Sequence, residues 1–357
     1  MNQNATTLTF IVPAYNMEEY LERCVSSLLQ ARDNGDIEVL IVDDGSHDST
    51  PQLADTYERR WPGRVRAIHQ PNKGHGGAVN TGIANARGTY VKVVDADDWI
   101  DPQSIDTMMA TLREQCASDR PVDMVVTNYV YDKVGKRRKH TVNFRHAMRP
   151  GEILTWDDLG HFGLAEYILM HALTFRTAVV RESGMVLPEH TFYVDFIYAY
   201  QPFTKVRTML YLDMPFYHYF IGREGQSVQT DVMIRRVEQL ILVNHRMVEA
   251  TPEPGTVPDG LYKYMIHFLA IESSVTSVFL ILSRDPENYR KKDRLWADIA
   301  AHSPAIGRDV RRKAMSRALN LPGSAGRWII RHATPSPNAS SASTDPQSIL
   351  YRSVTAA

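Results

Sequence analysis

The chain has 357 residues, 43% hydrophobic and 23% charged, which is the composition of an ordinary folded protein with a sizeable core. Its 40 Lys and Arg against 41 Asp and Glu give a net charge of −1, which argues against a nucleic-acid-binding protein. Two cysteines are too few for a disulfide framework, and the opening MNQNATTLTF lacks the basic and apolar segments of a secretion signal. We therefore expect a cytoplasmic protein.

The first 130 residues alternate between short β-branched runs and stretches with helical spacing. Strands are predicted at residues 8–12, 37–42, 65–68, 90–94 and 124–131. Helices are predicted to begin near residue 20, at Pro51 after a cap by Asp48 or Ser49, and near Pro102. Such alternation predicts an α/β domain with a mainly parallel sheet flanked by helices.

Beyond residue 132 the alternation ends. The sequence VGKRRKHTVNF predicts a polar β-hairpin, and two amphipathic helices are expected between residues 233 and 282. The longest apolar run, FLAIESSVTSVFLIL, is interrupted by Glu272 and several hydroxyl residues, so it is expected to be too short and too polar to span a membrane.

Four predicted strands run into polar or glycine-rich loops. In an open parallel sheet the carboxyl ends of the strands lie at one edge, where ligands bind. The loops are Pro13-Ala14-Tyr15-Asn16, Asp43-Asp44-Gly45-Ser46, Asn72-Lys73-Gly74-His75-Gly76-Gly77 and Asp95-Ala96-Asp97-Asp98. Because chance would scatter such loops to both edges, the sequence predicts a binding or active site at this one.

The fourth loop places three carboxylates within four residues. This cluster suits a hard divalent cation, Mn²⁺ or Mg²⁺, bound by Asp95 and Asp97 together with substrate phosphates. The alternative is a turn and a helix cap before Pro102, where the helix dipole favours acidic residues. The residues alone leave both open, and Asp98 or Asp101 could be the cap while Asp97 binds a metal.

The other loops also allow two interpretations each. The Asp43-Asp44 pair could accept the ring N–H of a pyrimidine base, or it could form an Asx-type turn. The glycine pair of the third loop could admit a ligand or phosphate beside Lys73, or it could only make a turn. Tyr15 could stack on a base, or it could pack against the protein.

Together, three stretches resemble a family 2 glycosyltransferase with the GT-A fold. They are VPAYNMEEYLERCVSSLL, IEVLIVDDGSHDST and NKGHGGAVNTGIANARGTYVKVVDADDW, and the resemblance continues more weakly to about residue 230. It implies that Pro13, Tyr15 and Asp44 hold the nucleotide base. It also implies that Asp95 and Asp97 form a DxD motif, which meets the ribose and, through the diphosphate, a divalent metal.

The resemblance further implies a general base about a hundred residues beyond this motif, usually in a Glu-Asp pair. Here LPEHTFYVDFIYAY offers Asp195, preceded by Val194 rather than Glu, and Glu189 is the competitor. The segment YHYFIGREGQSVQ resembles a loop that closes over the diphosphate. There Arg223 could contact phosphate and His218 could approach the metal, and the alternatives are a solvated arginine and a packed histidine.

The implied activity is an inverting, metal-dependent transfer of a sugar from a nucleoside-diphosphate sugar, by family habit a UDP-sugar. The implied acceptor is a hydroxyl of a glycan or lipid-linked molecule in envelope or exopolysaccharide biosynthesis. A Rossmann dehydrogenase would carry its glycine motif after the first strand, no P-loop occurs, and the processive-synthase signature QxxRW is absent. The alternative is a catalytically silent relative that acts as a scaffold or binds the nucleotide-sugar without turnover.

The expected organisation is a GT-A catalytic domain followed by a helical extension and a disordered tail. The catalytic domain covers residues 1–225, with nucleotide-sugar binding in 7–130 and the acceptor region in 131–225. The helical extension covers residues 226–331, and the tail covers residues 332–357.

The last part of the extension is strongly basic. Residues 305–331 contain seven Lys or Arg and one acidic residue, and Ile306, Val310, Ala314 and Leu321 could line one helical side. Such a region could make peripheral contact with an anionic membrane at the inner face of the plasma membrane, or it could be only a solvated basic face.

Overall fold

The structure is a computed structural model that describes residues 6–33, 35–133, 135, 139–222 and 229–320. The chain divides into two compact units. The first comprises Met1–Leu159 and Ile168–Arg223, and the second comprises Gly160–Tyr167 and Glu224–Ala357. Residues 160–167, which lie inside the predicted acceptor region, thus belong to the second unit.

The first unit alternates strands and helices, as the sequence pattern predicts. Its strands are β1 (Leu8–Ala14), β2 (Ile37–Asp43), β3 (Val65–His69), β4 (Tyr90–Val93), β5 (Trp99–Ile100), β6 (Met124–Lys133), β7 (His140–Val142), β8 (Ile153–Leu154), β9 (Leu173–Arg176) and β10 (Met209–Ile221). Its α-helices are α1 (Leu21–Leu28), α2 (Thr50–Arg60), α3 (Gly74–Asn85), α4 (Ile105–Ala117), α5 (Thr177–Glu182) and α6 (Asp195–Tyr198). Short 3-10 turns span Trp156–Asp158, Met170–Ala172 and Gln201–Lys205.

These strands form one sheet in the order β3-β2-β1-β4-β9-β6-β10-β5, with β7 paired to β6 and β8 to β10. Strands β1 to β4 pair in parallel, and β1 and β2 are buried along their whole length. Strand β9 runs antiparallel between β4 and β6, with Val91 opposite Phe175. The predicted α/β fold class is confirmed. The first half of the sheet is parallel, and the second half is mixed.

Local details agree with the sequence in some places and differ in others. The predicted hairpin is confirmed, because β7 pairs antiparallel with β6, with Tyr129 opposite Val142. Pro51 lies in the first turn of α2, and Asp48 accepts the backbone N–H of Thr50 at 2.9 Å. The glycine-rich loop after β3 is instead the first turn of α3, so its assignment as a loop is wrong.

The second unit is mainly helical over residues 229–320, whereas its described residues 160–167 are irregular. Its helices are α7 (Thr230–Arg235), α8 (Val237–Ala250), α9 (Asp259–Leu282), α10 (Pro286–His302), α11 (Pro304–Arg312) and α12 (Ala314–Leu319). The hydroxyl residues of α9 have partners inside the unit. Asn244 donates to Thr276 at 2.7 Å and accepts from Ser273 at 2.9 Å, and the Trp296 ring N–H donates to Ser277 at 3.0 Å.

Helix α9 is long and apolar enough to cross a membrane by length and composition, so the expectation that this segment is too short is wrong. However, 89% of its most apolar stretch is buried inside the protein, as in the core helix of a bundle. No other helix of the described ranges meets the same criteria.

The basic end of the chain is described as far as residue 320. Ile306 and Val310 are fully buried within the helical unit, so they do not form the lipid-facing side predicted for them. The Arg311 guanidinium lies over the ring of Trp296 and donates to its carbonyl at 3.0 Å. Leu321, the fourth residue of the predicted side, lies outside the described residues.

Candidate active site

The loops after β1 and β2 meet at the carboxyl edge of the sheet. The Asp44 N–H donates to the Ala14 carbonyl at 2.8 Å, and Asp44 Oδ1 accepts from the Gln70 side chain at 2.6 Å and from Lys73 N at 2.9 Å. Asp43 Oδ1 accepts the N–H of Ser46 at 3.1 Å, as in the predicted Asx-type turn. The Asp44 carboxylate is therefore held in a fixed orientation at the end of β2.

Tyr15 follows Ala14 at the end of β1 and is 42% exposed, whereas Pro13 is buried in β1. The Tyr15 ring contacts His47 edge-on, with centroids 6.4 Å apart. The next residue, Asn16, adopts φ +54°, and its side chain accepts the N–H of His47 at 2.8 Å. The ring of Tyr15 is thus partly accessible, and a planar base could stack on it.

The acidic loop after β4 contains three carboxylates in different environments. The Asp95 side chain is 25% exposed, and its Oδ1 lies 2.8 Å from His75 Nε2. The Asp97 carbonyl accepts from the Arg23 guanidinium at 2.7 Å. Asp98 is fully buried and accepts from the Tyr217 hydroxyl at 2.5 Å and from Phe220 N at 2.7 Å.

Burial, followed by the charges of Asp97 and Asp95, raises the pKa of Asp98 well above its usual value. Asp98 thus anchors β10 rather than capping a helix. Asp101 makes the turn before α4, because its Oδ1 accepts the N–H of Gln103 at 2.8 Å.

A divalent cation would find oxygen ligands at this loop. Among the described residues, ligand atoms of Asp95, Asp98 and His171 all lie within 4.8 Å of one another. Both carboxylate oxygens of Asp98 already accept hydrogen bonds from the protein. The hard oxygen donors of Asp95 and Asp97 fit a divalent cation, so this pair remains the predicted metal site.

His75, whose role sequence analysis missed, lies among these acids. It belongs to the first turn of α3, and its ring is hydrogen-bonded to Asp95. Burial opposes its charged form, but the charge and hydrogen bond of Asp95, followed by the charges of Asp195 and Asp97, raise the pKa of His75 above its usual value. The carboxylates around His75 therefore favour the charged form of its ring.

Asp195, the predicted base, begins α6 and is partly buried. Burial raises its pKa to about 6, an effect that the charge of His75 opposes and that of Asp95 reinforces. Its competitor Glu189 is 51% exposed and pairs with Lys73 at 3.3 Å. The electrostatic environment of Asp195 therefore includes the acidic loop, whereas Glu189 forms an exposed ion pair.

Gly76, in the first turn of α3, allows another segment of the protein to approach closely. A Cβ on Gly76 would lie 2.5 Å from the Pro188 carbonyl oxygen, so only glycine allows this approach. Asn80 then fixes the same segment, accepting from Leu187 N at 3.0 Å and donating to its carbonyl at 2.8 Å. The segment that leads to Asp195 occupies the space beside Gly76, which favours the interpretation of this glycine as part of a turn.

His171 is a second histidine that sequence analysis missed. It lies in the 3-10 turn before β9, is 4% exposed, and has no hydrogen-bond partner at Nδ1. Its carbonyl accepts from the buried Lys92 ammonium at 2.8 Å. Burial lowers the pKa of His171 to about 4 and that of Lys92 to about 7.

Two residues of the predicted diphosphate-closing loop remain. His218 stacks on Trp99, with centroids 5.1 Å apart, and lies 3.4 Å from Asp101 and 3.5 Å from Asp132. The ring is thus packed among other side chains in this structure. Arg223 lies outside the described residues.

Residues 9–172 match the family model described as Glycosyl transferase family 2. They form a family 2 glycosyltransferase domain. The protein EpsH of Bacillus subtilis (strain 168) is 30% identical to the chain over 229 residues, which cover 60% of each protein. Glycosyltransferase GlyG of Streptococcus pneumoniae is 37% identical over 128 residues, which cover 35% of this chain and 40% of GlyG. The chain thus spans less than two thirds of either relative.

Solved structures of glycosyltransferases share the fold of this chain. S. aureus TarS 1–349, in complex with UDP-GlcNAc, superposes with a TM-score of 0.65 at 19% identity, covering 98% of this chain and 90% of that one. The mannosyltransferase PcManGT of Pyrobaculum calidifontis, in complex with GDP-Man and Mn²⁺, gives 0.53 at 16% identity, covering 98% and 86%. These similarities confirm the GT-A fold, and the matching family model confirms the predicted family for residues 9–172.

Proposed function

We propose that the protein is an inverting, metal-dependent glycosyltransferase. It moves a sugar from a UDP-sugar to a hydroxyl of a glycan or lipid-linked acceptor in envelope or exopolysaccharide biosynthesis. The observation that carries the proposal is the arrangement of the acidic loop within a family 2 domain. Asp95 is hydrogen-bonded to His75, and the partly buried carboxyl of Asp195 interacts electrostatically with both.

The nucleotide is assigned to the pocket at the ends of β1 and β2. The fixed carboxylate of Asp44 is suited to accept the ring N–H of uracil, and the exposed ring of Tyr15 is suited to stack on it. Pro13 shapes the strand between them, and Asp43 stabilises the adjoining turn. The UDP-GlcNAc bound by TarS supports a uridine donor.

The metal, Mn²⁺ or Mg²⁺, would be held by Asp95 and Asp97. When bound, it supplies positive charge that stabilises the departing nucleoside diphosphate. His75 holds the Asp95 carboxylate through the 2.8 Å hydrogen bond. Lys73 and Arg223 are proposed to add positive charge near the phosphates. Lys73 would do so by leaving its exposed ion pair with Glu189 and contacting a phosphate instead.

The proposed reaction is a single displacement. The acceptor oxygen forms a bond to the anomeric carbon while the bond from that carbon to the diphosphate oxygen breaks, and its electron pair leaves with UDP. The acceptor proton passes to the Asp195 carboxylate. Because the pKa of Asp195 is about 6, the group is mostly ionised at neutral pH yet basic enough to accept a proton. Attack opposite the leaving group inverts the anomeric configuration.

The experiment is a screen of UDP-sugars with Mn²⁺, in which UDP release and product mass are measured with candidate glycan acceptors. We expect turnover with one donor, lowered by roughly a hundredfold or more in Asp195→Asn. Glu189→Gln is the matched control and is expected to retain activity, and the reverse result would exchange the two roles. Donor binding without turnover at any acceptor would support the silent scaffold instead.

We also propose peripheral membrane contact through the basic end of the helical unit, by charge alone. Arg308, Arg311, Arg312 and Arg317 are exposed, whereas the apolar side of α11 is buried. Each basic residue near an anionic surface contributes about 1 kcal/mol. Arg308→Glu with Arg312→Glu should therefore abolish co-sedimentation with anionic liposomes at low salt. Equal sedimentation of wild type and variant, or none by either, would refute this contact.

A further inference from the structure

His171 lies where the acidic loop and strand β9 meet. The antiparallel register of β9 with β4 brings the start of β9 to the carboxyl end of β4, directly before Asp95. A ring nitrogen of His171 lies within 4.8 Å of carboxylate oxygens of Asp95 and Asp98. This histidine is therefore part of the same site, although 76 residues separate it from Asp95 in the sequence.

The ring of His171 is fixed by its surroundings. It stacks on Tyr219 with centroids 4.2 Å apart, and its edge-to-face contact with Tyr217 has centroids 4.8 Å apart. The backbone is fixed as well, since Lys92 donates to the carbonyls of His171 and Leu173 at 2.8 and 3.1 Å. Such a ring cannot easily turn to find another hydrogen-bond partner.

The buried Nδ1 of His171 nevertheless lacks a hydrogen-bond partner. Buried polar groups in native proteins are almost always paired, and an exception calls for a ligand, a water or another explanation. Thr174, three residues further along, also has a buried hydroxyl without a partner. Thr174 lies inside the sheet opposite Val125, however, whereas His171 lies at the carboxyl edge where the donor is proposed to bind.

A sugar hydroxyl suits this position better than a metal ion. Both oxygens of Asp98 are already hydrogen-bonded, so a cation shared by His171 and Asp98 would have to break those contacts. In a nucleoside-diphosphate sugar the hydroxyls of the sugar follow the diphosphate, which the proposed function assigns to Asp95 and Asp97. A hydroxyl can donate to or accept from an imidazole nitrogen.

We infer that His171 is a specificity-determining residue that hydrogen-bonds a hydroxyl of the donor sugar, an inference that rests on the proposed function. Its contact is with the sugar and not with the nucleotide. A variant at His171 should therefore alter the affinity for UDP-sugar while leaving the affinity for UDP unchanged.

The test is calorimetry of UDP and of the accepted UDP-sugar with Mn²⁺. His171→Phe keeps the aromatic packing and removes the hydrogen bond, so we expect UDP-sugar to bind about tenfold more weakly and UDP to bind within about twofold of wild type. His171→Asn keeps a polar group near the position of Nδ1 and should recover part of the loss. Thr174→Val is the matched control, since it also removes a buried unpaired polar atom, and it should bind both ligands as wild type does.

Equal weakening of UDP and UDP-sugar in His171→Phe would overturn the inference and point to a role at the diphosphate, the metal or the fold. Unchanged affinity for both ligands would also overturn it. If the Phe variant does not fold, the Asn variant still decides. Its relative affinities for UDP-glucose, UDP-galactose and UDP-GlcNAc should differ from those of wild type, and an unchanged ranking would refute the sugar contact. Wild-type protein that binds UDP but no UDP-sugar would refute this inference alone, whereas binding of neither would refute the proposed function.

Discussion

The acid limb of the pH–rate profile should report the ionisation of Asp195. A general base must be deprotonated before it can accept a proton, so kcat/KM is expected to rise with pH and level off once Asp195 is ionised. Burial raises the pKa of this carboxyl to about 6 from an ordinary 3.8. The rate should therefore fall about tenfold per pH unit below pH 6.

The size of the loss in kcat/KM at pH 5 distinguishes a carboxyl with a raised pKa from an unperturbed one. With a pKa of about 6, roughly a tenth of the base is ionised at pH 5, so kcat/KM should be about tenfold below its plateau. A carboxyl with an unperturbed pKa would be about nine-tenths ionised at pH 5 and would show almost no loss. His75→Gln removes a cation that opposes the shift, so the limb should move to higher pH in that variant.

The assay is the initial rate of UDP release from about pH 4.5 to 8.5, with donor below its KM and with folding checked by fluorescence at each pH. Glu189→Gln should keep the acid limb, and Asp195→Asn should lose both the limb and most of the rate. A flat profile between pH 4.5 and 7, or a limb that persists in Asp195→Asn, would refute the assignment of Asp195.

Three further outcomes are expected. Asp97→Asn should leave the fold intact and abolish the Mn²⁺-dependent affinity for UDP, so unchanged calorimetric binding would refute the metal assignment. Gly76→Ala places a Cβ 2.5 Å from the Pro188 oxygen and should lower the free energy of unfolding by about 1–3 kcal/mol, whereas Gly35→Ala, with no contact closer than 3.7 Å, should not. Because the folded-state pKa of Asp195 lies above its ordinary value, the ionised carboxylate destabilises the fold above about pH 6 and no longer does so below about pH 4. Asp195→Asn should therefore raise the melting temperature at pH 8 but not at pH 4, and an equal change at both would contradict the shift.

The parallel half of the sheet could be predicted because its signals are local. Burial of β1 and β2 on both faces requires continuous apolar runs, and those runs are visible in the sequence. The ends of the apolar runs of β2 and β4 therefore predicted that Asp44 and Asp95 lie at the carboxyl edge of the sheet. The same reasoning placed Pro51 at the start of α2.

The remaining features depend on contacts between distant segments. The glycines after β3 form a helical turn, and the segment at Pro188 approaches Gly76 so closely that a side chain there would clash. That segment is more than a hundred residues away in the sequence, so no local pattern contains it. The roles of His75 and His171 depend on which side chains surround them in the folded protein. In α9 the sequence shows hydroxyl groups that weaken an apolar run, but it does not show that Asn244 pairs with two of them.

Strand β9 brings a second, distant part of the chain to the candidate active site. The carboxylates follow the end of β4, and His171 lies in the Met170–Ala172 turn. Lys92 holds the backbone of this turn by donating hydrogen bonds to the carbonyls of His171 and Leu173. Because these hydrogen bonds involve backbone carbonyls, side chains of the turn can be substituted while the backbone and the acidic loop after β4 stay in place. A lineage could acquire a new donor by a few substitutions there and keep its chemistry intact. For protein engineering, this three-residue turn defines a small and well-bounded library.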